Sequence, residues 1–170
     1  LEEGRKMHIP DGYLGPQTYG TLYAAIIPLW AAASRILKKT LKQKQIPLLA
    51  IGAAFSFVIQ MFNMPIPGGT TGHAVGGVIV AILLGPWAAF AAVSVVLVIQ
   101  ALLFGDGGIT AIGANIFNMA FVVPFAGYYV YRLIGAGAGP HSKRLIAAAA
   151  ICVFVGLTAG EAATGFELGL

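Results

Sequence analysis

The sequence predicts an all-α fold, a polytopic transmembrane helical bundle of about six spans, and three observations lead to it. Of the 170 residues, 58% are hydrophobic and only 9% charged, whereas a soluble domain carries roughly 25% charged residues. A water-facing surface cannot be built from that supply. Long apolar stretches recur along the whole chain, and a span needs about 20 such residues to cross roughly 30 Å of hydrocarbon. The cations gather in short segments between those stretches, which is a topology signal. The 23 glycines fit the same class, because helices in lipid use small residues to pack closely.

The first apolar run follows Pro16 and covers about residues 18 to 36; the second covers about 46 to 62. From His73 to Phe104 the chain is apolar for 32 residues, about 48 Å as one straight helix. It is therefore split at Gly85-Pro86 into spans of about 74 to 85 and 87 to 104. A fifth span covers about 112 to 134 and a sixth about 145 to 166. No internal repeat is evident, and residues 7–170 form a single integral membrane domain, preceded by an extension at residues 1–6.

Charge orients the bundle, since cytoplasmic loops collect Lys and Arg. Arg35, Lys38, Lys39, Lys42 and Lys44 lie between spans one and two; Arg132, Lys143 and Arg144 flank the turn between spans five and six. Eight of the ten basic residues thus share one side, the cytoplasm. The same parity places residues 7–17, the loop from Asn63 to His73 and the loop from Gly105 to Ala111 outside. Removing the Gly85-Pro86 break would move Lys143 and Arg144 outside, an independent reason for the break. The net charge of +4 comes with no basic face interleaved with aromatics, which argues against nucleic acid as a partner.

The three external segments carry the candidate chemistry. Their Gly, Pro, Asp and Asn density lets backbone fold over a site rather than continue a helix, and non-helical backbone at membrane depth is tolerated where protein or water covers it. These loops are expected to form a lid or cradle. His8 and His73 are two of only three histidines. Either alone reads as an ordinary surface or core residue; on one face they suggest a site for a divalent transition metal, because imidazole suits Zn, Cu, Ni and Co. Two histidines are an incomplete set, so further donors come from backbone or terminal nitrogen, Asn63, Asp106, Asn115, Met7, Met64 or water. Thr71, Gln100, Asn63, Asp106 and Asn115 are candidates for the surrounding shell that orients ligands. Gln60 and Asn118 approach the same face, as orienting groups or as plain interhelical hydrogen bonds. His141 reads as a bland loop residue and Cys152, the single cysteine, as packing. Glu161 is the one acid at probable membrane depth outside the loops and takes no role.

Met7-His8-Ile9-Pro10-Asp11-Gly12, the glycine-rich approach to His73, and the run from Ala101 through Gly105-Asp106-Gly107-Gly108-Ile109-Thr110-Ala111 to Asn115-Ile116-Phe117-Asn118-Met119-Ala120 resemble the NikM/CbiM substrate-binding subunits of energy-coupling factor transporters for nickel and cobalt. The resemblance runs from Met7 to about the sixth span. It implies a metal site built from Met7, His8 and His73, in which the amine of a first-residue Met, the next peptide nitrogen, the His side chain and the loop His supply four nitrogens. Such a square suits Ni(II), with Co(II) as the alternative. This sequence departs from the pattern in carrying Leu1-Glu2-Glu3-Gly4-Arg5-Lys6 before Met7, which makes that nitrogen an amide without a lone pair until it is deprotonated. It also ends at Leu170, where family members commonly continue into a further helix.

The resemblance further implies a non-enzymatic subunit of the cell membrane, multi-pass with the Met7 side external. It would work with a transmembrane coupling subunit, cytoplasmic ATPases and a small accessory membrane subunit. The metal is its transported substrate, and no resident cofactor is expected. No Gly-x-x-x-x-Gly-Lys-Ser/Thr phosphate loop occurs in the sequence, so energy comes from partners. Two rival readings remain. A membrane metalloenzyme would need an open coordination position and a general base such as Asp11 or Asp106, yet no His-Glu-x-x-His helix occurs. A non-transport scaffold using small faces such as Ala24-Ala25 and Ala31-Ala32-Ala33 would leave the two histidines unexplained.

Overall fold

Each helix begins where its sequence supplies a start. In the computed structural model, residues 8–66 and 70–170 are described; the extension at residues 1–6, Met7 and the loop residues 67–69 lie outside that set. Helix α1 (Pro16–Thr40) opens on a proline at its first turn, where the missing N–H costs nothing and the fixed φ is already helical. Its last turn carries Lys38 and Lys39, cations that suit the negative end of the helix dipole. A short 3₁₀ turn (Gln43–Gln45) leads into α2 (Ile46–Gln60), again with a proline in the first turn.

After α2 the chain departs from pure helix. Met64–Ile66 (β1) and Thr70–Gly72 (β2) pair antiparallel, with Met64 opposite Gly72 and Pro65 opposite Thr71. Pro65 has no N–H to give a ladder, and a two-stranded edge is where a sheet accepts it. The helical class therefore stands, with this small hairpin added.

Helix α3 (Gly77–Leu84) and α4 (Pro86–Leu103) meet at the break expected at Gly85-Pro86. Gly85 has φ +92 and ψ 157, a region open in practice only to glycine, and Pro86 then starts α4. The third span is shorter than expected from residues 74 to 85. Helix α3 has 8 residues, about 12 Å, because His73 to Gly76 run without helical structure along α2. Gln60 Nε2 donates to the Val75 carbonyl at 3.2 Å, and a Cβ on Gly76 would stand 2.9 Å from Ser56 Oγ. The chain is anchored there before it can coil.

The fifth rod joins α5 (Ile112–Asn115), a π-helical segment (Ile116–Val122) and α6 (Val123–Gly135). Helix α7 (Lys143–Leu168) follows, capped by the Ser142 side chain. Among the described residues, α1, α4 and α7 are long and apolar enough to cross a membrane by themselves; α2, at 15 residues, and α3 are not.

Helix α4 is the axis of the bundle. Phe90, Val93 and Leu97 are buried on it in one cluster with Ile26 and Ala33 of α1, Val78 of α3, Val123 of α6 and Cys152 of α7. On α7, Ala148, Cys152, Gly156 and Gly160 form one buried stripe at every fourth residue. A Cβ on Gly156 would come within 2.7 Å of the Val123 carbonyl, so the small residue sets how closely α6 and α7 approach.

Gly156→Val is expected to overpack that contact and lower stability by about 1–3 kcal/mol, read as a drop in thermal midpoint of the detergent-solubilised protein. Gly165→Ala, on the same helix but with nothing within 4 Å of the added carbon, should be neutral or slightly stabilising, since Ala favours helix over Gly by about 1 kcal/mol. Equal losses in both would contradict the packing described.

Candidate metal centre

The start of α1, the ends of α2 and α4, and the start of α5 meet at one end of the bundle. A segment without helix or strand, residues 8–11, lies across it. Such a segment must still pair its buried peptide groups, and the Asn115 side chain does so for Ile9. The Ile9 N–H donates to Asn115 Oδ1 at 3.1 Å, and Asn115 Nδ2 donates to the Ile9 carbonyl at 3.2 Å. That carbonyl also accepts from the Gly108 N–H at 2.9 Å.

Loop 105–111 lies directly on this strap. Asp11 Oδ1 accepts from the Thr110 N–H at 2.7 Å and from the Thr110 hydroxyl, while the Tyr23 hydroxyl donates to the Ile109 carbonyl. Gly108 fits only because it has no side chain; a Cβ there would overlap the backbone of Pro10 and Asp11. Gly107, at φ +92, would place a Cβ 3.1 Å from His8 Cβ. Beneath, Ile9 and Leu14 pack on Leu22, Ala111 and Ala114.

The strap thereby drives His8 inward, leaving it 6% exposed. Its Nε2 sits 3.0 Å from Oε1 of Gln100, a fully buried residue near the end of α4. His8 Nδ1 is buried with no hydrogen-bond partner among the described residues. The ring of His73 stands 5.2 Å from that of His8, centroid to centroid, tilted by 41°. With a metal–nitrogen distance of about 2.0–2.1 Å, two rings ligating one ion stand about 4.5–6.5 Å apart for angles between roughly 90° and 180°. The observed spacing falls within that range. His73 is half-buried, and its approach is set by the Gln60–Val75 bond two residues further on.

The other residues named from sequence divide. Asn115 and Gln100 touch the strap and His8 directly. Asp106 donates its N–H to the Gln100 carbonyl at 3.0 Å, which ties the loop to the end of α4. Asn63, preceding β1, and Thr71, on β2, are half-buried; no hydrogen bond joins either to the histidines among the described residues. Asn118 serves a different contact, donating to Glu167 Oε2 at 2.7 Å and Thr164 Oγ1 at 3.0 Å on α7. Met7 lies outside the described residues.

Glu161, left without a role in the sequence reading, and Glu167 differ in burial among the described residues. Glu161 is exposed, and the buried acid is Glu167. Glu167 lies seven residues past Gly160, on the face of the small-residue stripe, a spacing that the sequence does display. Among the described residues, no group of three or more His, Cys, Asp or Glu side chains could hold an ion.

Residues 8–170 match the CbiM family, described as the cobalt uptake substrate-specific transmembrane region. The fused nickel transport protein NikMN of Rhodobacter capsulatus is 52% identical over 164 residues, which cover 96% of this chain and 47% of that protein. The cobalt transport protein CbiM of Acetohalobium arabaticum is 36% identical over 162 residues, covering 93% of this chain and 61% of that one. Among solved structures, that of a truncated transition metal transporter superposes with a TM-score of 0.88 at 50% identity, covering 96% of this chain and 74% of that one. This chain thus spans about half the length of the fused nickel relative.

Asn115→Ala removes both bonds to Ile9, worth about 1 kcal/mol each and more where a buried group is left unpaired. The strap amides, Ile9 above all, should then exchange with solvent about 10–100-fold faster, as a local opening that leaves α4 and α6 protected. Hydrogen exchange with mass spectrometry reads this; unchanged exchange in residues 8–14 would show that the strap is held by something else.

Proposed function

The chain belongs to the CbiM family, a family of transmembrane nickel and cobalt transport proteins, and on that premise we propose that it is the substrate-binding subunit that captures Ni(II) at the external face for import. The observation that carries this reading is the pairing of His8 and His73, with ring centroids 5.2 Å apart, at the end of the bundle opposite the basic residues. Lys38 and Lys39 close α1, Arg132 lies in the last turn of α6 and Lys143 opens α7. By the rule that cytoplasmic loops collect cations, the histidine end faces outward, in a multi-pass cell-membrane protein.

Capture is ligand exchange. His8 offers a buried ring nitrogen and His73 a second; two more nitrogens come from Met7 and the peptide between Met7 and His8. Ni(II) has the tetragonal preference that four nitrogens in a square satisfy, and Co(II) is the alternative substrate. Binding releases protons from the ligands. The strap and loop 105–111, with the strands β1 and β2, then cover the ion. With no phosphate loop in the sequence, delivery inward depends on ATP hydrolysis by partners: cytoplasmic ATPases acting through a transmembrane coupling subunit, with a small accessory membrane subunit. Of the two bases the metalloenzyme reading would use, Asp11 and Asp106, the first is engaged through its Oδ1 by the N–H and hydroxyl of Thr110.

Loss of an outer-shell partner typically costs 10–100-fold in metal affinity, and loss of a ligand should cost more. His73→Ala is therefore expected to weaken Ni(II) binding by more than about 100-fold in calorimetry; unchanged affinity would remove His73 from the site. A protein whose first residue is Met7 should bind Ni(II) more tightly than the chain carrying Leu1–Lys6, with the absorption spectrum of a square-planar nitrogen site. Identical affinity and spectra for the two would show that the Met7 nitrogen is not a ligand.

A further inference from the structure

Gln100 has more to do than fill space beside His8. It is fully buried on α4, its backbone carbonyl accepts from the N–H groups of Phe104 and Asp106, and its side-chain oxygen faces His8 Nε2 at 3.0 Å. A neutral imidazole has one N–H and one lone pair, and the hydrogen bond made by one nitrogen decides which role the other plays. An amide oxygen can only accept. A proton on Nε2 would satisfy that oxygen and leave the lone pair on Nδ1, the buried nitrogen with no partner among the described residues.

We propose that Gln100 is a positioning residue that selects the tautomer of His8, holding the proton on Nε2 so that Nδ1 carries the lone pair offered to the metal. The proposal rests on the metal-capture reading above and adds what holds His8 in the form that capture uses. The geometry of the side chain makes that choice matter. Nδ1 can close a six-membered chelate ring with the histidine's own peptide nitrogen, through Cα, Cβ and Cγ. From Nε2 the path back to the same peptide is too long and points away, here toward α4. With the opposite tautomer, the nitrogen within reach of the backbone would bear a proton, and the one with the lone pair would be turned toward Gln100. The surroundings hold this orientation: Asn115 and Gly108 fix the backbone at Ile9, and the loop passes so near at Gly107 that an added Cβ there would stand 3.1 Å from His8 Cβ.

The test separates the tautomer from the metal. Metal-free protein carrying ¹⁵N-labelled histidine is studied by NMR at about pH 8, where an ordinary histidine is neutral, and the His8 signals are assigned by their loss in His8→Ala. The expected spectrum has His8 with a protonated Nε2 and a bare Nδ1; a proton on Nδ1 overturns the proposal. Gln100→Met keeps the length and removes the acceptor, so the His8 tautomers should mix and Ni(II) affinity by calorimetry should fall about 10–100-fold. Gln100→Glu keeps an acceptor and should restore both the single tautomer and most of the affinity. A purely structural role for Gln100 would not give this split, and equal affinity in the Met variant and the wild type overturns the link to capture. If the wild-type protein shows the Nε2–H tautomer but does not bind Ni(II), the capture reading fails, and with it the use of Nδ1. The wild-type spectrum needs no substitution, so a variant that failed to fold would not shield the proposal.

Discussion

A stretch of chain with no secondary structure can sit against a helical bundle only if something pairs its peptide groups, and here that constraint falls on one side chain. Asn115 holds both the N–H and the carbonyl of Ile9, doing for the strap what a neighbouring strand would do in a sheet. Without that pair the buried Ile9 N–H would lack a partner, at a cost of about 1–3 kcal/mol, and its carbonyl would keep only the Gly108 N–H. The position of His8, its contact with Gln100 and its approach to His73 all follow from where this amide stands.

The placement of Asn115 depends in turn on the rod that bears it. Asn115 closes α5 and Asn118 lies in the π-helical segment that follows. Wider turns of this kind recur at functional sites, and here the two asparagines, three residues apart, serve different neighbours: one holds the strap, the other reaches Glu167 and Thr164 on α7. Small residues make the second contact possible, since Gly156 and Gly160 let α7 lie close to Val123. The same rod thus touches both the strap and α7.

The two histidines are held by different means. His8 is fixed at both its backbone and its ring, whereas His73 lies on a segment secured by Gln60 at Val75 and by close passage past Ser56. That anchoring explains why α3 is short. Its first residues are spent on bringing His73 to the end of the bundle, and helix resumes only at Gly77. A loop carrying a ligand is commonly positioned by a rigid scaffold, and here the scaffold is α2 and α4, each contributing one buried glutamine near its end.

Composition and hydropathy were enough to place the helical rods and the Gly85-Pro86 break, because apolar runs and the backbone limits of Gly and Pro are local properties. The small-residue stripe from Ala148 to Gly160 was equally readable, and extending it to Glu167 would have marked that acid as buried. Residue type alone marked His8, His73, Gln100 and Asn115 as candidates, since polar groups are scarce in this chain. It could not tell Asn115, which holds Ile9, from Asn118, which reaches α7. Nor could it reveal that α3 is shortened by anchoring to α2. Those outcomes depend on contacts between residues up to 106 positions apart, and only the packed structure decides them: a side chain's partner is set by which helix end lies opposite, a distance in space that local sequence does not encode.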